Sequence, residues 1–239
     1  MRLDNYLTQN GFFESRNRAQ EAIKKGLVKV DNIVVKKPSF KVDSNSSVEV
    51  TKEKFYISRA AKKLEEYLKE FKVDFKDKRV LDVGSSTGGF SQIVLEQNAK
   101  SVDCVDVGSN QLHKSLRDNP KVLVFENCDI RDFKSKPYDI IVSDVSFISL
   151  LKILDSINSL AKDNSIIILL FKPQFEVGKS AKRDSKGVVV DKKAIDLAKK
   201  RFLAKTKELN WLLLDTKESK VSGKEGNIEY FYTFKKVKN

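Results

Sequence analysis

From about residue 78 onward, short apolar segments alternate with segments of helical periodicity. Five apolar segments have the composition of parallel strands buried on both faces, and they lie at residues 80–83, 101–107, 122–125, 138–143 and 166–171. Helical spacing of apolar residues occurs near 89–97, 109–117, 148–161 and 191–209, and two final strands are predicted at 211–214 and 230–234. This alternation predicts an α/β fold with a doubly wound, Rossmann-like sheet. Such sheets bind ligands at the carboxyl ends of their parallel strands.

The first fifty residues follow a different pattern. Apolar residues at helical spacing predict two short helices, the first ending at Gly11 and the second beginning after Ser15, a suitable N-cap. Gly26 suits the position that follows the second helix. Three short strands are then predicted at 27–30, 33–35 and 48–50. A small two-helix, three-strand module is therefore expected ahead of the larger domain.

A glycine-rich turn follows the first strand of the larger domain, in the segment Asp82-Val83-Gly84-Ser85-Ser86-Thr87-Gly88-Gly89-Phe90. Glycine lets the backbone pass close to a ligand, because it has no Cβ. The dinucleotide fingerprint G-x-G-x-x-G is absent from this segment. The turn therefore predicts one half of a nucleotide-type pocket, with an ordinary tight turn as the alternative.

Acidic residues follow three of the predicted strands. Asp106 lies 22 residues after Gly84, where an acid can accept both hydroxyls of a bound ribose. Asp129 follows the third strand and is suited to the adenine end of a nucleoside, and Asp144 ends the fourth strand. Each of these acids alone could be a turn residue or a helix cap. Their serial placement at strand ends predicts a shared pocket.

The chain is strongly basic, with 46 Lys and Arg residues against 33 Asp and Glu residues and a formal net charge of +13. The excess is spread over both parts, because residues 1–54 hold 11 basic and 7 acidic side chains, a net of +4, which leaves +9 for the rest. Such a field favours polyanions, and RNA is the first candidate partner. A solvated, lysine-rich surface is the alternative.

Other residue types exclude several classes of protein. Cys104 and Cys128 lie in apolar segments, so we expect buried free thiols rather than a disulfide or a metal pair. His113 is the sole histidine, which argues against a histidine-based metal site or catalytic centre. No secretory signal is seen, and the longest strongly apolar run, 166–171, is too short to span a bilayer. We therefore expect a soluble, cytoplasmic protein with no metal and no membrane partner.

The first fifty residues resemble the S4 RNA-binding domain. The resemblance is carried by R-L-D-x-x-L, S-R-x-x-A, I-x-x-G-x-V-x-V and K-P-S, in this order. It implies phosphate contacts from Arg2, Arg16 and Lys37, with Arg18 as a neighbour, and such contacts position RNA without reading its sequence. S4 domains also precede pseudouridine synthases with a catalytic R-L-D motif. The only such triplet here, residues 2–4, lies inside the S4 helix, which disfavours that class.

Further motifs extend the resemblance to the whole chain. The spacing D-x-G-x-x-x-G-G-F is similar to the first motif of S-adenosylmethionine (SAM) methyltransferases. Four more segments follow the order of RNA ribose methyltransferases: Ser58–Leu64, Ser143–Leu150, Phe171–Glu176 and Gly226–Glu229. Together with the S4 domain they resemble the TlyA (haemolysin A) family of ribosomal RNA 2′-O-methyltransferases. The resemblance implies an S4 domain at 1–53, a linker at 54–58 and an FtsJ-like, SAM-dependent methyltransferase domain at 59–239.

The resemblance also implies the site residues. The family's catalytic tetrad falls on Lys63, Asp144, Lys172 and Glu229. SAM is expected to contact Asp82, Gly84, Ser85, Ser86, Thr87, Gly88, Gly89, Phe90, Asp106, Val107, Asp129, Ile130 and Asp144. Arg59 joins the four S4 residues as an RNA contact, and ribosomal RNA or a ribosomal subunit is the implied partner.

A tetrad of this composition suits methyl transfer to a hydroxyl. Lys172 can bond the 2′-oxygen and stabilise negative charge as it develops. To act as a general base it must be neutral, which requires a pKa lowered from about 10.4. Burial and Lys63 would lower this pKa, whereas Asp144 and Glu229 would raise it. The sequence therefore leaves the role of Lys172 as a base open, with Asp144 expected to orient it.

Three features bear on substrate and mechanism. The basic, glycine-bearing segment 176–190 is expected to be a loop that orders over RNA, with a merely solvated loop as the alternative. The linker carries Lys54-Phe55-Tyr56-Ile57 where the family often has R-x-W-V, which puts any coupling between linker and SAM binding in doubt. The chain begins at the S4 motif and so resembles the shorter branch of the family, which methylates a cytidine in large-subunit RNA.

Three other functions are alternatives to the predicted ribosomal RNA methyltransferase. The first is a non-catalytic RNA-binding assembly factor, which the intact Asp82, Gly84, Asp144 and Lys172 disfavour. The second is a membrane-lytic protein, as the older family name suggests, but a spanning segment is missing. The third is a base or protein methyltransferase, for which no N-P-P-[YF] or cysteine nucleophile motif follows the fourth strand. The oligomeric state stays open, and a monomer is assumed.

Overall fold

Contacts divide the chain into two units, Met1–Phe55 and Tyr56–Asn239, and each has its own hydrophobic core. The computed structural model describes residues 1–43, 45–51 and 54–238. The predicted end of the first domain, residue 53, and the last residue of the chain lie outside these ranges.

The first unit contains two helices and a small antiparallel sheet. Its elements are α1 (Leu3–Gln9), α2 (Arg16–Lys24), β1 (Val28–Val30), β2 (Ile33–Val34) and β3 (Val48–Val50). The strand order is β2-β1-β3. Ser15 caps α2 by accepting a hydrogen bond from the Arg18 N–H. Asp31 and Asn32 both have positive φ, as a two-residue hairpin turn requires, so the predicted helices and hairpin are confirmed.

A buried carboxylate organises the two helices of this unit. Asp4 is fully buried in α1 and accepts hydrogen bonds from Arg2 (3.0 Å for each of two nitrogens), from Arg16 (2.9 Å) and from Gln20 (2.7 Å). It also accepts from the backbone N–H of Asn5 at 3.0 Å. The guanidinium groups, first that of Arg2, hold the pKa of Asp4 well below its usual range. Asp4 therefore joins α1 to α2 through charge-assisted bonds.

The second unit contains a seven-stranded sheet within the described residues, in the order β6-β5-β4-β7-β8-β10-β9. Its strands are β4 (Arg79–Val83), β5 (Ser101–Val105), β6 (Val122–Phe125), β7 (Tyr138–Ser143), β8 (Ala161–Phe171), β9 (Trp211–Glu218) and β10 (Tyr230–Lys236). Its helices are α3 (Arg59–Glu70), α4 (Gly89–Glu96), α5 (Lys114–Arg117), α6 (Leu154–Leu160), α7 (Pro173–Glu176) and α8 (Lys192–Glu208). β4 to β8 pair in parallel, and β9 and β10 add an antiparallel edge.

Helices cover both faces of this sheet. Alternate strand residues face opposite sides, so Val80 packs with α3 and α4, whereas Leu81 and Val83 pack with α6 and α8. The apolar stripe of α3 runs through Ala61 and Leu64, at helical spacing. This three-layer arrangement confirms the predicted α/β class and leaves the carboxyl ends of the parallel strands as the edge where loops meet.

Several predicted boundaries need correction. The helix expected near 109–117 is reduced to α5, because Asn110 has positive φ and the Glu126 carboxylate accepts the Gln111 N–H at 3.1 Å. The second strand ends at Val105 instead of residue 107, since the chain turns at Asp106. The helix expected over 148–161 is a 3-10 turn (Leu150–Lys152) followed by α6.

The two cysteines differ in environment. Both thiols are free, but only Cys104 is buried in a strand, whereas Cys128 lies half-buried in the loop after β6. His113 caps the short helix α5 on the surface. In the described part of the chain, no helix is both long and apolar enough to cross a membrane. Among the same residues, no three or more histidine, cysteine or acidic side chains are arranged to hold a metal ion.

We expect Asp4→Ala to destabilise the first unit by about 1–3 kcal/mol, because it removes charge-assisted hydrogen bonds at a buried site. Hydrogen exchange of the full chain should show faster exchange of the α1 and α2 amides, about tenfold for each 1.4 kcal/mol. Because the pKa of Asp4 is lowered by folding, this stabilisation is present above about pH 4 and is lost as the pH falls below it. Glu14→Ala, at an exposed ion pair, is the matched control. Equal protection in both variants would contradict the role of Asp4.

Candidate active site

A glycine-rich turn joins β4 to α4 at the carboxyl edge of the parallel strands. Gly84 has φ +73°, and a Cβ on it would lie 2.8 Å from the Val145 side chain. A Cβ on Gly89 would lie 2.8 Å from the backbone nitrogen of Ala61 and closer still to Ser58. Glycine is therefore required at the first position by the backbone conformation and at the second by the close approach of α3 to α4.

This turn borders two cavities that share part of their lining. The larger, of about 850 Å³, contains these predicted SAM contacts: Asp82, Gly84, Ser85, Ser86, Thr87, Gly89, Phe90 and Asp144. The second, of about 440 Å³, contains Gly84, Ser86, Asp106, Val107, Asp129, Ile130 and Asp144. Gly88, although predicted to contact SAM, is absent from the described lining of both cavities. It is the residue before α4 and has φ +93°. Both volumes fall in the range of small-molecule sites.

Asp82 is a buried carboxylate on the wall of the larger cavity. Its Oδ2 accepts hydrogen bonds from the Ser91 N–H at 3.0 Å and from the Ser91 hydroxyl at 2.6 Å, whereas its Oδ1 has no partner among the described residues. Burial raises the pKa of Asp82 to about 7, and the charges of Asp144 and Asp106 add to this effect. A buried acceptor without a partner indicates a site for a donor that is cationic or polar.

The two acids of the second cavity already have local partners. Asp106 accepts the N–H of Ser86 and the N–H of Gly108, each at 2.7 Å, and so shapes the turn on either side of it. Asp129 accepts hydrogen bonds from the backbone and guanidinium of Arg131 at 2.6–2.9 Å, and these bonds lower the pKa of Asp129. Any ribose or adenine contact from these carboxylates must use their remaining lone pairs.

The predicted tetrad forms two ion pairs on the wall of the larger cavity. Lys63 Nζ lies 2.6 Å from Glu229 Oε2, and this ion pair joins α3 to the segment before β10. Lys172 Nζ lies 2.7 Å from Asp144 Oδ1, which joins the ends of β8 and β7. Lys172 also donates to the Ser146 hydroxyl at 2.7 Å. Four charges that are distant in sequence thus meet at one edge of the sheet.

Asp144 lies close to both lysines of the tetrad. Burial raises its pKa above the usual range, while the positive charges of Lys172 and Lys63 act in the opposite direction. A buried carboxylate of this kind depends on its partners to stay ionised. Asp144 and Lys172 therefore stabilise one another in the site.

The short helix α7 connects the ends of several strands around Lys172. Gln174 donates from Nε2 to Glu229 Oε1 at 3.0 Å, and the Phe175 ring packs on Phe147 with centroids 5.2 Å apart. Glu176 accepts from the Ser149 hydroxyl at 2.6 Å and from the Leu150 N–H at 2.8 Å. Burial raises the pKa of Glu176. Consecutive side chains of α7 thus hold the segments that follow β7 and precede β10.

Phe147 is an exposed aromatic residue beside the tetrad. It lines both cavities, is 92% exposed and has φ +65°, a backbone conformation that non-glycine residues rarely adopt. Strain of this kind persists only where the surroundings impose it, and it is concentrated at functional sites. Phe147 is therefore a candidate surface for a flat ligand.

The basic segment 176–190 is anchored at both ends. Val177 and Val189 are buried, and the Val189 N–H donates to the Asn227 side chain at 3.0 Å. The Arg183 guanidinium donates to the Gln174 carbonyl at 3.2 Å, and Arg183 and Lys186 line the larger cavity. The segment thus borders the same cavity as the tetrad, and polar residues lie between its two apolar anchors.

The predicted RNA contacts fall in different environments. Arg2 and Arg16 are held by Asp4 but keep about half of their side-chain surface exposed. Arg18 forms an exposed pair with Glu14 at 3.1 Å, and Lys37 is exposed. In the second unit, Arg59 donates to the Ser222 carbonyl at 2.8 Å and lines the larger cavity.

The structure brings into the site four residues for which the sequence predicts no role: Ser146, Phe147, Gln174 and Glu176. All four lie inside the Ser143–Leu150 and Phe171–Glu176 motifs. For Ser146 and Gln174, the available signal was a polar residue two positions after a predicted catalytic residue. Their partners could not be found locally, because Gln174 and Glu229 are separated by 55 residues.

Comparison with known proteins gives a consistent result. Residues 56–236 match the FtsJ-like methyltransferase family, and residues 1–48 match the S4 domain. The chain is 53% identical over 185 residues to "23S rRNA (cytidine-2′-O)-methyltransferase TlyA" of Campylobacter jejuni, a match that covers 77% of this chain and 72% of the relative. It is 36% identical to "16S/23S rRNA (cytidine-2′-O)-methyltransferase TlyA" of Mycobacterium tuberculosis, with 96% of this chain and 88% of the relative covered.

A solved structure supports the same assignment across both units. "Putative hemolysin from Streptococcus thermophilus" is 31% identical, with a TM-score of 0.72 and coverage of 100% of this chain and 89% of that chain. The motifs, the fold, the site and these matches agree over nearly the full length. The chain therefore belongs to the FtsJ-like methyltransferases and, within them, to the TlyA (haemolysin A) family.

Proposed function

We propose that this methyltransferase transfers a methyl group from SAM to the ribose 2′-hydroxyl of a cytidine in large-subunit ribosomal RNA. The observation that carries the proposal is the pairing of Lys63 with Glu229 and of Lys172 with Asp144 on the wall of one cavity. The 53% identical relative is named for 23S rRNA, which supports the large subunit as the target. Ribosomal RNA as substrate implies action in the cytoplasm.

The residues present fit SAM. The unpartnered Oδ1 of Asp82 suits the ammonium of the methionine part, and the close backbone approach at Gly84 leaves room for a ligand beside the turn. The second cavity suits the adenosine part, with Asp106 and Val107 at the ribose and Asp129 and Ile130 at the adenine. Ser85, Ser86, Thr87, Gly88, Gly89 and Phe90 supply the turn and the first residues of α4. SAM supplies a methyl group on a positively charged sulfur.

Positioning and charge stabilisation account for the proposed chemistry. Lys172 contacts Asp144 Oδ1 and the Ser146 hydroxyl at 2.7 Å each, and its third contact, with the Asp144 carbonyl, is long at 3.4 Å. This third N–H can be redirected to the 2′-oxygen. We assign Lys172 to stabilising the negative charge that develops on the 2′-oxygen as the hydroxyl loses its proton. The Asp144 carboxylate, 2.7 Å from the Lys172 nitrogen, is assigned to accept that proton through Lys172 as the oxygen takes the methyl group. In-line displacement needs the two reacting atoms held at near-attack distance. Lys63 and Glu229 are assigned to holding the ribose.

The RNA is proposed to contact both units. Arg59, Arg183 and Lys186 around the larger cavity suit the phosphates that flank the target nucleotide. Phe147 offers an exposed ring on which the target base can stack. The S4 residues Arg2, Arg16, Arg18 and Lys37 are assigned to phosphates elsewhere on the RNA. In this scheme residues 1–53 bind RNA, 54–58 link the domains, and 59–239 carry out the reaction.

Lys172→Ala should lower methyl transfer at least a hundredfold, because it removes the group that stabilises the 2′-oxygen. SAM affinity should change by less than about threefold, since Lys172 is assigned to the substrate oxygen. The measurement is transfer of labelled methyl from SAM to purified small-subunit and large-subunit RNA, with the product mapped by mass spectrometry. Lys162→Ala is the matched control, because Lys162 forms a 2.6 Å ion pair with Asp139 away from the site.

The outcomes of this assay separate the rival functions. A 2′-O-methylcytidine in large-subunit RNA alone, lost in Lys172→Ala and kept in Lys162→Ala, is the expected result. Label on both subunits would contradict the proposed restriction to the large subunit. Bound SAM with no label on either RNA would favour an assembly factor instead.

SAM affinity should fall as the pH is lowered through about 7. The pKa of Asp82 is raised to about 7, so the carboxyl is largely protonated below this pH and must release a proton to pair with the ammonium of SAM. The affinity should decrease by up to about tenfold per pH unit below 7. Titration calorimetry from pH 6 to 8 measures this, and buffers of different ionisation enthalpy reveal the released proton. Asp82→Asn should bind SAM weakly and without this pH dependence; the same pH dependence in that variant would contradict the assignment.

A further inference from the structure

Gln174 occupies a central place in the site that the tetrad alone does not explain. It lies two residues after Lys172 in α7, and its Nε2 donates to Glu229 Oε1 at 3.0 Å. The other oxygen of the same carboxylate, Oε2, accepts from Lys63 at 2.6 Å. Each oxygen of Glu229 therefore has one donor, and the two donors come from different elements.

The chemistry of Glu229 fixes which way the Gln174 amide points. A carboxylate only accepts hydrogen bonds, so the amide nitrogen must face it and the amide oxygen must face away. That oxygen, Oε1, is buried without a partner among the described residues. The amide oxygen of Gln174 is therefore left without a hydrogen bond while the amide nitrogen donates to Glu229. This arrangement is expected where the orientation of the carboxylate is important.

Backbone packing confines Glu229 from another side. A Cβ on Gly223 would lie 2.8 Å from Glu229 Oε1, so this chain segment closes directly on the carboxylate. The backbone carbonyl of Gln174, unlike its side-chain oxygen, accepts a hydrogen bond from the Arg183 guanidinium at 3.2 Å. Residue 174 thus contacts the carboxylate through its side chain and the cavity-lining Arg183 through its backbone.

We propose that Gln174 is a positioning residue for methyl transfer: it holds the Glu229 carboxylate, and through it Lys63, in the orientation that receives the ribose. This rests on the proposed function. Gln174 acts through Glu229 and Lys63, so its loss should reduce the rate of the chemical step and leave SAM binding intact. Misplacement of a substrate-holding group by about 1 Å can lower a rate a hundredfold.

The test compares two substitutions in the full chain. Gln174→Leu keeps the size of the side chain and removes the donor, and we expect kcat to fall about 10- to 100-fold at every pH with the Kd of SAM within about twofold. Gln174→Glu keeps the shape but donates only when protonated. Two facing carboxylates share one proton, and its uptake is favoured as the pH falls. The ratio of Gln174→Glu activity to unsubstituted activity should therefore rise between about pH 8.5 and 6.5.

Controls separate positioning from packing or charge. Lys63, Asp144, Lys172 and Arg183 are the same in all variants and affect every variant alike. Glu229 shares a proton with the new carboxylate in Gln174→Glu only, so a pH-dependent ratio in that variant reports the shared proton. Gln97→Glu, on the exposed end of α4, makes the same chemical change away from the site and should leave both kcat and the pH profile unchanged. SAM binding by each variant shows that the domain is folded.

Three results would overturn the proposal. The first is full kcat in Gln174→Leu, and the second is activity ratios of the Leu and Glu variants that run parallel across the pH range, as a packing role would produce. In both cases the unsubstituted protein still methylates RNA, and the proposed function stands. The third is absence of 2′-O-methylcytidine with the unsubstituted protein, which overturns the proposed function and this inference with it.

Discussion

The burial of charge at one edge of the sheet constrains the rest of the second unit. Lys63, Lys172 and Glu229 are at least nine-tenths buried, and an uncompensated ion in such a place costs several kcal/mol. Each lysine is paired with an acid, and the attraction within each pair offsets this cost. The partners come from α3, the ends of β7 and β8, and the segment before β10, so the pairs form only when these elements are in place. Assembly of the site therefore depends on the folding of this part of the sheet.

Side chains of the short helix α7 connect the site to the surrounding loops. Gln174 reaches the segment before β10, Phe175 packs on Phe147, and Glu176 binds the turn that begins at Ser149. These contacts connect the end of β8 to neighbours on either side of it in the sheet. A site on rigid, mutually supported elements keeps its groups close to the productive geometry, which suits a reaction whose rate depends on positioning.

The first unit also contains a buried charge that is paired with residues from more than one element. Asp4 is buried, and its bonds to Arg2 and Arg16 join the two helices while both guanidinium groups stay half-exposed. Arginines that are held in this way lose less conformational freedom when they bind a phosphate than free side chains would. Arg2 and Arg16, two of the residues proposed to contact RNA, are thus part of the framework of the fold, and their preorganisation is a direct consequence of the buried carboxylate.

The sequence by itself determined the periodic features: the strand and helix order, the α/β class, the hairpin at Asp31-Asn32, the glycine-rich turn and the candidate tetrad. The first four follow from neighbours within a few residues, through apolar spacing and turn chemistry, whereas the candidate tetrad was implied by the resemblance to a known family. Only the tertiary structure decided that Asp106 binds the amides of its own turn, that the helix expected at 109–117 shrinks to α5, and that Gln174 holds Glu229. These contacts depend on where distant segments end in space, and no local period in the chain encodes that.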